Sequence, residues 1–178
     1  MNQKTRKKIR ISNQRFNNLI ELMTKLEKEI DRCKSAKAYL AGCVMVGAAL
    51  EASLLSMVAI YRNEVKPVLP KKKLKESEML KWGLHDLLQI SFEAGWLPYA
   101  KTSNPNKGEI GDWLLNYVKG LRNLVHPGRC IKEFRELSIR KKHFDFSVEL
   151  FKLAKDHLLN KVENNILKTL SKKRDKEV

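Results

Sequence analysis

A chain of 178 residues with only 8 Gly and 5 Pro, 43% apolar and 31% charged, suits one globular domain of long helices and excludes a turn-rich, many-stranded fold. The 36 Lys and Arg against 20 Asp and Glu leave a net charge of +16, which attracts polyanions and ranks nucleic acid ahead of an anionic membrane face or an acidic protein as partner. Three dispersed cysteines without a CxxC pair (Cys33, Cys43, Cys130) argue against a disulfide framework and a thiolate zinc site, and fit the cytoplasm.

Residues 1–15 carry Lys4, Arg6, Lys7, Lys8, Arg10 and Arg15 with no acid, the pattern of a basic arm; no apolar stretch of a leader follows it. Ser12 or Asn13 caps a first helix, in which Phe16, Leu19, Ile20, Met23, Leu26 and Ile30 recur at three- and four-residue intervals. A second helix spans about 35–64. Its stretch from Ala38 to Tyr61 contains a single charge, Glu51. That length could cross a bilayer, but a carboxylate at the centre is costly there. A helix apolar all round is expected as the buried centre of a bundle, with no membrane partner. The stretch KPVLPKKKLK, with Pro67 and Pro70, then stops the helix and makes a basic loop around Lys71, Lys72 and Lys73.

A third helix is predicted over about 76–94, with Gly95 as its stop. After a Pro-, Gly- and Asn-rich loop, a fourth helix starts near Glu109 or Asp112. Trp113, Leu114, Tyr117, Val118, Leu121, Leu124 and Val125 give its apolar face, and it ends by His126 because Pro127 disfavours the α conformation ahead of it. Residues 128–140 read as irregular, with 131–134 the nearest approach to an extended segment. A long last helix covers about 141–170, and residues 171–178 form a polar tail that frays. The expected fold is all-α: a bundle of about five helices over residues 16–170.

Few constellations carry chemistry. His85, His126, His143 and His157 are scattered and form no HExxH, so no metal and no cofactor are expected. Cys43 reads as an inert core thiol. Trp82, Trp96 and Trp113 read as packing residues, and Tyr99, in a loop beside Lys101, as the better base-stacking candidate.

The stretch LRNLVHPGR, 121–129, differs from these. On a helix Arg122 and His126 are i and i+4 and share a face, with Lys119 on the same side and Asn123 one position off it. The helix C-terminus favours an imidazolium at His126, and the arginine opposes it, which sets up proton exchange near neutral pH. Such a pair meets the needs of metal-free RNA cleavage: the histidine moves a proton and the arginine stabilises charge on the transition state. The structural alternative is that Arg122 pairs with an acid while His126 caps carbonyls. Glu51 needs a partner in its apolar helix; Arg122 and Arg62 are the candidates, and a Glu51–Arg122 pair would orient the guanidinium.

A helical bundle whose late helix ends in this Arg-Asn…His pattern resembles the HEPN superfamily (higher eukaryotes and prokaryotes nucleotide-binding domains). The resemblance spans about 35–165 as a helix pattern, and its specific part is the nine-residue motif. It implies Arg122 and His126 as catalytic residues and Asn123 as the polar residue after the arginine; Glu51 and Lys119 join them as supporting residues by the spacing and burial argument above. It further implies a homodimer acting as a metal-independent endoribonuclease of toxin or phage-defence type, with an antitoxin or a defence-complex subunit as partner. Other members are non-catalytic modules that bind nucleic acid or protein. The family places four to six residues between Arg and His; here there are three. On this reading Lys7, Lys8, Arg10, Lys71, Lys72, Lys73, Arg129, Arg140, Lys141 and Lys142 contact RNA phosphates, DNA being the second choice.

Overall fold

The computed structural model describes residues 13–69, 79–98, 113–118, 120 and 139–174. These form helices and connecting turns, with no strand among them: α1 (Asn13–Ser35), α2 (Tyr39–Ile60), α3 (Arg62–Val68), α4 (Leu84–Glu93), a short π-helical α5 (Leu114–Val118) and α6 (Lys141–Arg174). The all-α bundle expected from the sequence is therefore present.

α2 is its centre. Cys43, Val46, Ala49, Leu50, Leu54, Met57 and Val58 are buried, and α1, α4, α5 and α6 surround them. By length and composition α2 could cross a membrane; in this fold most of it is enclosed by neighbouring helices. Its buried hydroxyls are satisfied inside the helix: Ser53 donates to the Ala49 carbonyl and Ser56 to that of Ala52. The small residues allow close approach. A Cβ on Gly42 would collide with the Phe144 ring of α6 and stand 3.2 Å from Cys33 Cβ of α1. Gly42 against Phe144 near the start of α2, and Tyr61 against Lys161 at its end, set α2 and α6 side by side in the same direction. α1 runs the opposite way, as its contacts Cys33–Gly42 and Met23–Ser53 require. Lys155 of α6 pairs with Glu27 of α1 at 2.7 Å.

Helix ends follow local chemistry. Gly95 adopts φ +68°, and the Gly95 and Trp96 amides donate to the Phe92 and Ser91 carbonyls, closing α4 with a left-handed cap. The same pair of bonds closes α1 with Lys37 at φ 57°. Lysine bears there a conformation that suits glycine better.

Several boundaries differ from the sequence expectation. The second helix does not run to Glu64, and Pro67 does not stop it: the chain breaks at Tyr61, and Pro67 lies inside the last turn of α3. The Tyr61 amide closes α2 on Met57, and its carbonyl receives the Glu64 and Val65 amides, so one residue ends one helix and opens the next. The break keeps the Tyr61 ring buried against Trp96, with centroids 5.9 Å apart. The third helix begins at Leu84, because Gly83 ahead of it is extended. The last helix runs to Arg174, through the first half of the expected frayed tail, and Asn13–Arg15 of the expected arm already belong to α1.

Candidate functional site

Of the residues singled out from the sequence, Lys7, Lys8, Arg10, Lys71, Lys72, Lys73, Lys119, Arg122, Asn123, His126 and Arg129 lie outside the described residues. Glu51, Arg140, Lys141 and Lys142 lie within them, on two different helices.

Glu51 sits on the central helix and is half-buried, with Oε2 shielded from solvent. The side chain is engaged rather than free, as is that of Arg62, which stands across the Tyr61 break in α3. A carboxylate ionised in the middle of an apolar helix requires a cation or hydrogen-bond donors.

The basic turn is built by the start of α6. Arg140 precedes the helix, its carbonyl accepting the His143 and Phe144 amides. Its own amide donates to His143 Nδ1 at 3.1 Å. This is one half of a capping box, the N3 side chain accepting from the N-cap amide, with histidine in the place of the usual Glu or Gln. Nδ1 accepts, so the proton of the neutral ring is on Nε2. His143 thus has a structural duty at the helix start. Arg140, Lys141 and Lys142 are exposed there, where the positive end of the helix dipole adds to their field. Lys141 is tied to Asp145 one turn on, and that hydrogen bond and charge hold its ammonium above the ordinary lysine range. Arg140 and Lys142 are the other two cations of this turn.

Trp113, which leads into α5, stands over the same end of α6. Its ring meets that of Phe146 edge-to-face, with centroids 5.1 Å apart and planes at 89°. It is 42% exposed, whereas Trp82 and Trp96 are 7% and 3% exposed. All three tryptophans pack against neighbouring helices, Trp82 and Trp96 buried and Trp113 at the edge against Phe146. In α5 the buried positions are Leu114 and Val118, and Trp113, just ahead of the π turn, is left at the edge.

A second polar constellation had no signal in the sequence beyond its residue types. Trp96 Nε1 donates to Glu64 Oε2 at 2.8 Å, Lys161 Nζ lies 3.1 Å from the same oxygen, and that ammonium stands over the Tyr61 ring, 5.6 Å from its centroid. These contacts join α3, the turn after α4 and α6, and use the polar groups on one another.

Cys43 is fully buried and receives a long hydrogen bond from Ser147. Burial pushes the thiol up to about 11, against the weaker opposing effect of Ser147, so it is not a nucleophile at neutral pH. Among the described residues no three His, Cys, Asp or Glu side chains converge in metal-binding fashion. The surface grooves among the described residues include two candidates for a site. One of about 180 Å³ is edged by Asp86 and Glu93, whose carboxylates repel phosphate. The other, of about 220 Å³, is floored by Leu19, Leu22, Leu55 and Leu80 beside Arg15. Neither brings together an acid and a base suited to catalysis. No family model matches the chain, nor does any curated protein or solved structure, so its functional reading rests on its own residues.

Proposed function

We propose that this chain is an RNA-directed, HEPN-like protein of the cytoplasm that cleaves RNA without a metal, in a toxin or phage-defence setting, as a homodimer. The observation that carries the reading is the Arg122–His126 pair at i,i+4, one face of a predicted helix end, in a chain of net charge +16. The helical bundle and the exposed cations at the start of α6 support it. In the reaction, the ribose 2′-oxygen attacks the adjacent phosphorus as its proton leaves, and the P–O5′ bond breaks. A proton reaches the departing 5′-oxygen, leaving a 2′,3′-cyclic phosphate. His126 carries a proton in this exchange, and the Arg122 guanidinium stabilises charge on the phosphoryl oxygens. Asn123 and Lys119 assist beside them, and Glu51 orients Arg122.

The three-residue gap between Arg122 and His126 favours a second reading, a non-catalytic module that binds nucleic acid or a partner protein in a defence or regulatory assembly. The two separate when purified protein is incubated with mixed RNAs in excess EDTA beside Arg122→Ala and His126→Ala variants. Cleavage lost in both variants is the expected result. Absence of cleavage with salt-dependent RNA binding gives the second reading.

A further inference from the structure

We propose that the basic N-terminal arm, residues 1–12, docks across its own chain's acidic groove between α3 and α4, with Ile9 and Ile11 on the groove floor and Lys7, Lys8 and Arg10 at its carboxylates. The inference does not depend on the nuclease reading. The groove, of about 180 Å³, is floored by Val68, Leu69, Trp82 and Ile90 and edged by Asp86 and Glu93. These two acids are seven residues apart on α4, so they share a face about 10 Å apart along the axis. Glu27, Glu64 and Asp145 are held by Lys155, Lys161 and Lys141, whereas no ion pair ties Asp86 or Glu93 among the described residues. In a chain of net charge +16, two such carboxylates beside an apolar floor are complementary to a cationic segment that also carries apolar side chains.

The arm has that composition. It carries Lys4, Arg6, Lys7, Lys8 and Arg10 and no acid. In an extended segment Ile9 and Ile11 fall on one side, and Lys8 and Arg10 on the other. Its length and point of attachment also fit. The arm joins α1 at Asn13, and Asn18 and Leu19 of α1 line a groove together with Leu80. Leu80 belongs to the turn closed by the Trp82 amide on the Met79 carbonyl, and Trp82 is in the acidic groove. One turn of chain thus separates the start of α1 from the groove, and twelve extended residues span about 40 Å. A nearer basic stretch, 71–75, offers a single leucine and begins two residues past Leu69, which is itself part of the floor. A groove of this size takes a few side chains of an extended segment, not a folded domain. Docking gives Lys7, Lys8 and Arg10 acceptors within the chain, so that an RNA phosphate competes with the groove for them.

The test treats the full chain, as an equal mixture of light and heavy-isotope protein, with a carbodiimide that joins a lysine amine directly to a carboxylate in contact with it. Peptides linking Lys7 or Lys8 to Asp86 or Glu93 are expected, light to light and heavy to heavy, and high salt should suppress them. Asp86→Asn combined with Glu93→Gln should let trypsin cut the arm after Arg6, Lys7, Lys8 and Arg10 on the order of fivefold faster than in the native chain. Ile9→Ser combined with Ile11→Ser should also speed cleavage, with no charge altered. Circular dichroism of each variant separates a released arm from a lost fold. Absence of any link from residues 1–12 to either carboxylate overturns the proposal. So do links from Lys71, Lys72 or Lys73 in their place, or equal trypsin rates in native and variant chains. Mixed light–heavy links assign the groove to the arm of a second copy and overturn docking within one chain.

Discussion

α6 carries apolar residues throughout its length, but its two parts meet different surroundings. Phe144, Leu150, Phe151, Ala154 and Leu158 are buried, whereas Leu159, Ile166, Leu167 and Leu170 are exposed. The cause lies in the partner helix. α2 and α6 start together at Gly42 and Phe144, and α2 ends where Tyr61 meets Lys161. α6 continues to Arg174, roughly 20 Å further at 1.5 Å per residue. The difference teaches that an apolar side chain of α6 is buried only on the face turned to the bundle and only as far as α2 reaches: Leu153 and Leu159 lie before that limit on the outer face, and Ile166, Leu167 and Leu170 lie beyond it.

Substitutions on either side of Lys161 test this, and the largest effect belongs at the crossing. Phe144→Ala should cost about 3–5 kcal/mol, read from denaturant midpoints at unchanged m-value. Leu158→Ala, the last buried leucine of α6, should cost about 2–4 kcal/mol. Gly42→Ala should cost about 1–3 kcal/mol, because its methyl group meets a ring with nowhere to move; combining it with Phe144→Leu should recover part of the loss. Lys161→Ala, which removes a one-third-exposed and therefore screened ion pair together with the contact over Tyr61, should cost about 1 kcal/mol. Ile166→Ala and Leu167→Ala should each stay within about 0.5 kcal/mol of the native chain. A cost of 2 kcal/mol or more at Ile166 would show that this part is covered.

Cys43, facing Ser147 in the enclosed part, adds a pH dependence. Its folded pKa is raised from 9.0 to about 11, so the neutral buried thiol contributes stability in full below pH 9.0. That contribution is lost as pH rises through 11, since the unfolded chain releases the proton first. Urea midpoints measured at pH 8 and pH 10.5 should therefore fall less for Cys43→Ala than for the native chain. An equal fall in both would place the alkaline loss elsewhere.

Helical class, the central place of α2 and the Gly95 stop were legible in the sequence, because each rests on local chemistry: apolar run length, periodicity and a left-handed glycine. The break at Tyr61 was not. No glycine or proline stands there, and the reason is tertiary, a tyrosine held by Trp96 and Lys161 from distant parts of the chain. Pro67 misled for the opposite reason: it is a strong breaker in a helix interior but is accommodated in the last turn of the short α3. Trp113 fitted the apolar face of the predicted helix but lies at its edge, because the buried positions fall at Leu114 and Val118. Of the candidate site, residue types and the i,i+4 spacing of Arg122 and His126 were legible, as was the basic turn at 140–142. The bracing of Trp113 by Phe146 was not, since it joins residues 33 apart in sequence.

The most direct test of the functional account is the chemistry of RNA ends after incubation with the native chain in excess EDTA. The account predicts fragments ending in 2′,3′-cyclic phosphate and 5′-hydroxyl, with Arg122→Ala and His126→Ala each leaving the RNA whole while retaining native circular dichroism. Intact RNA with the native chain, or the same fragments from both variants, would contradict it.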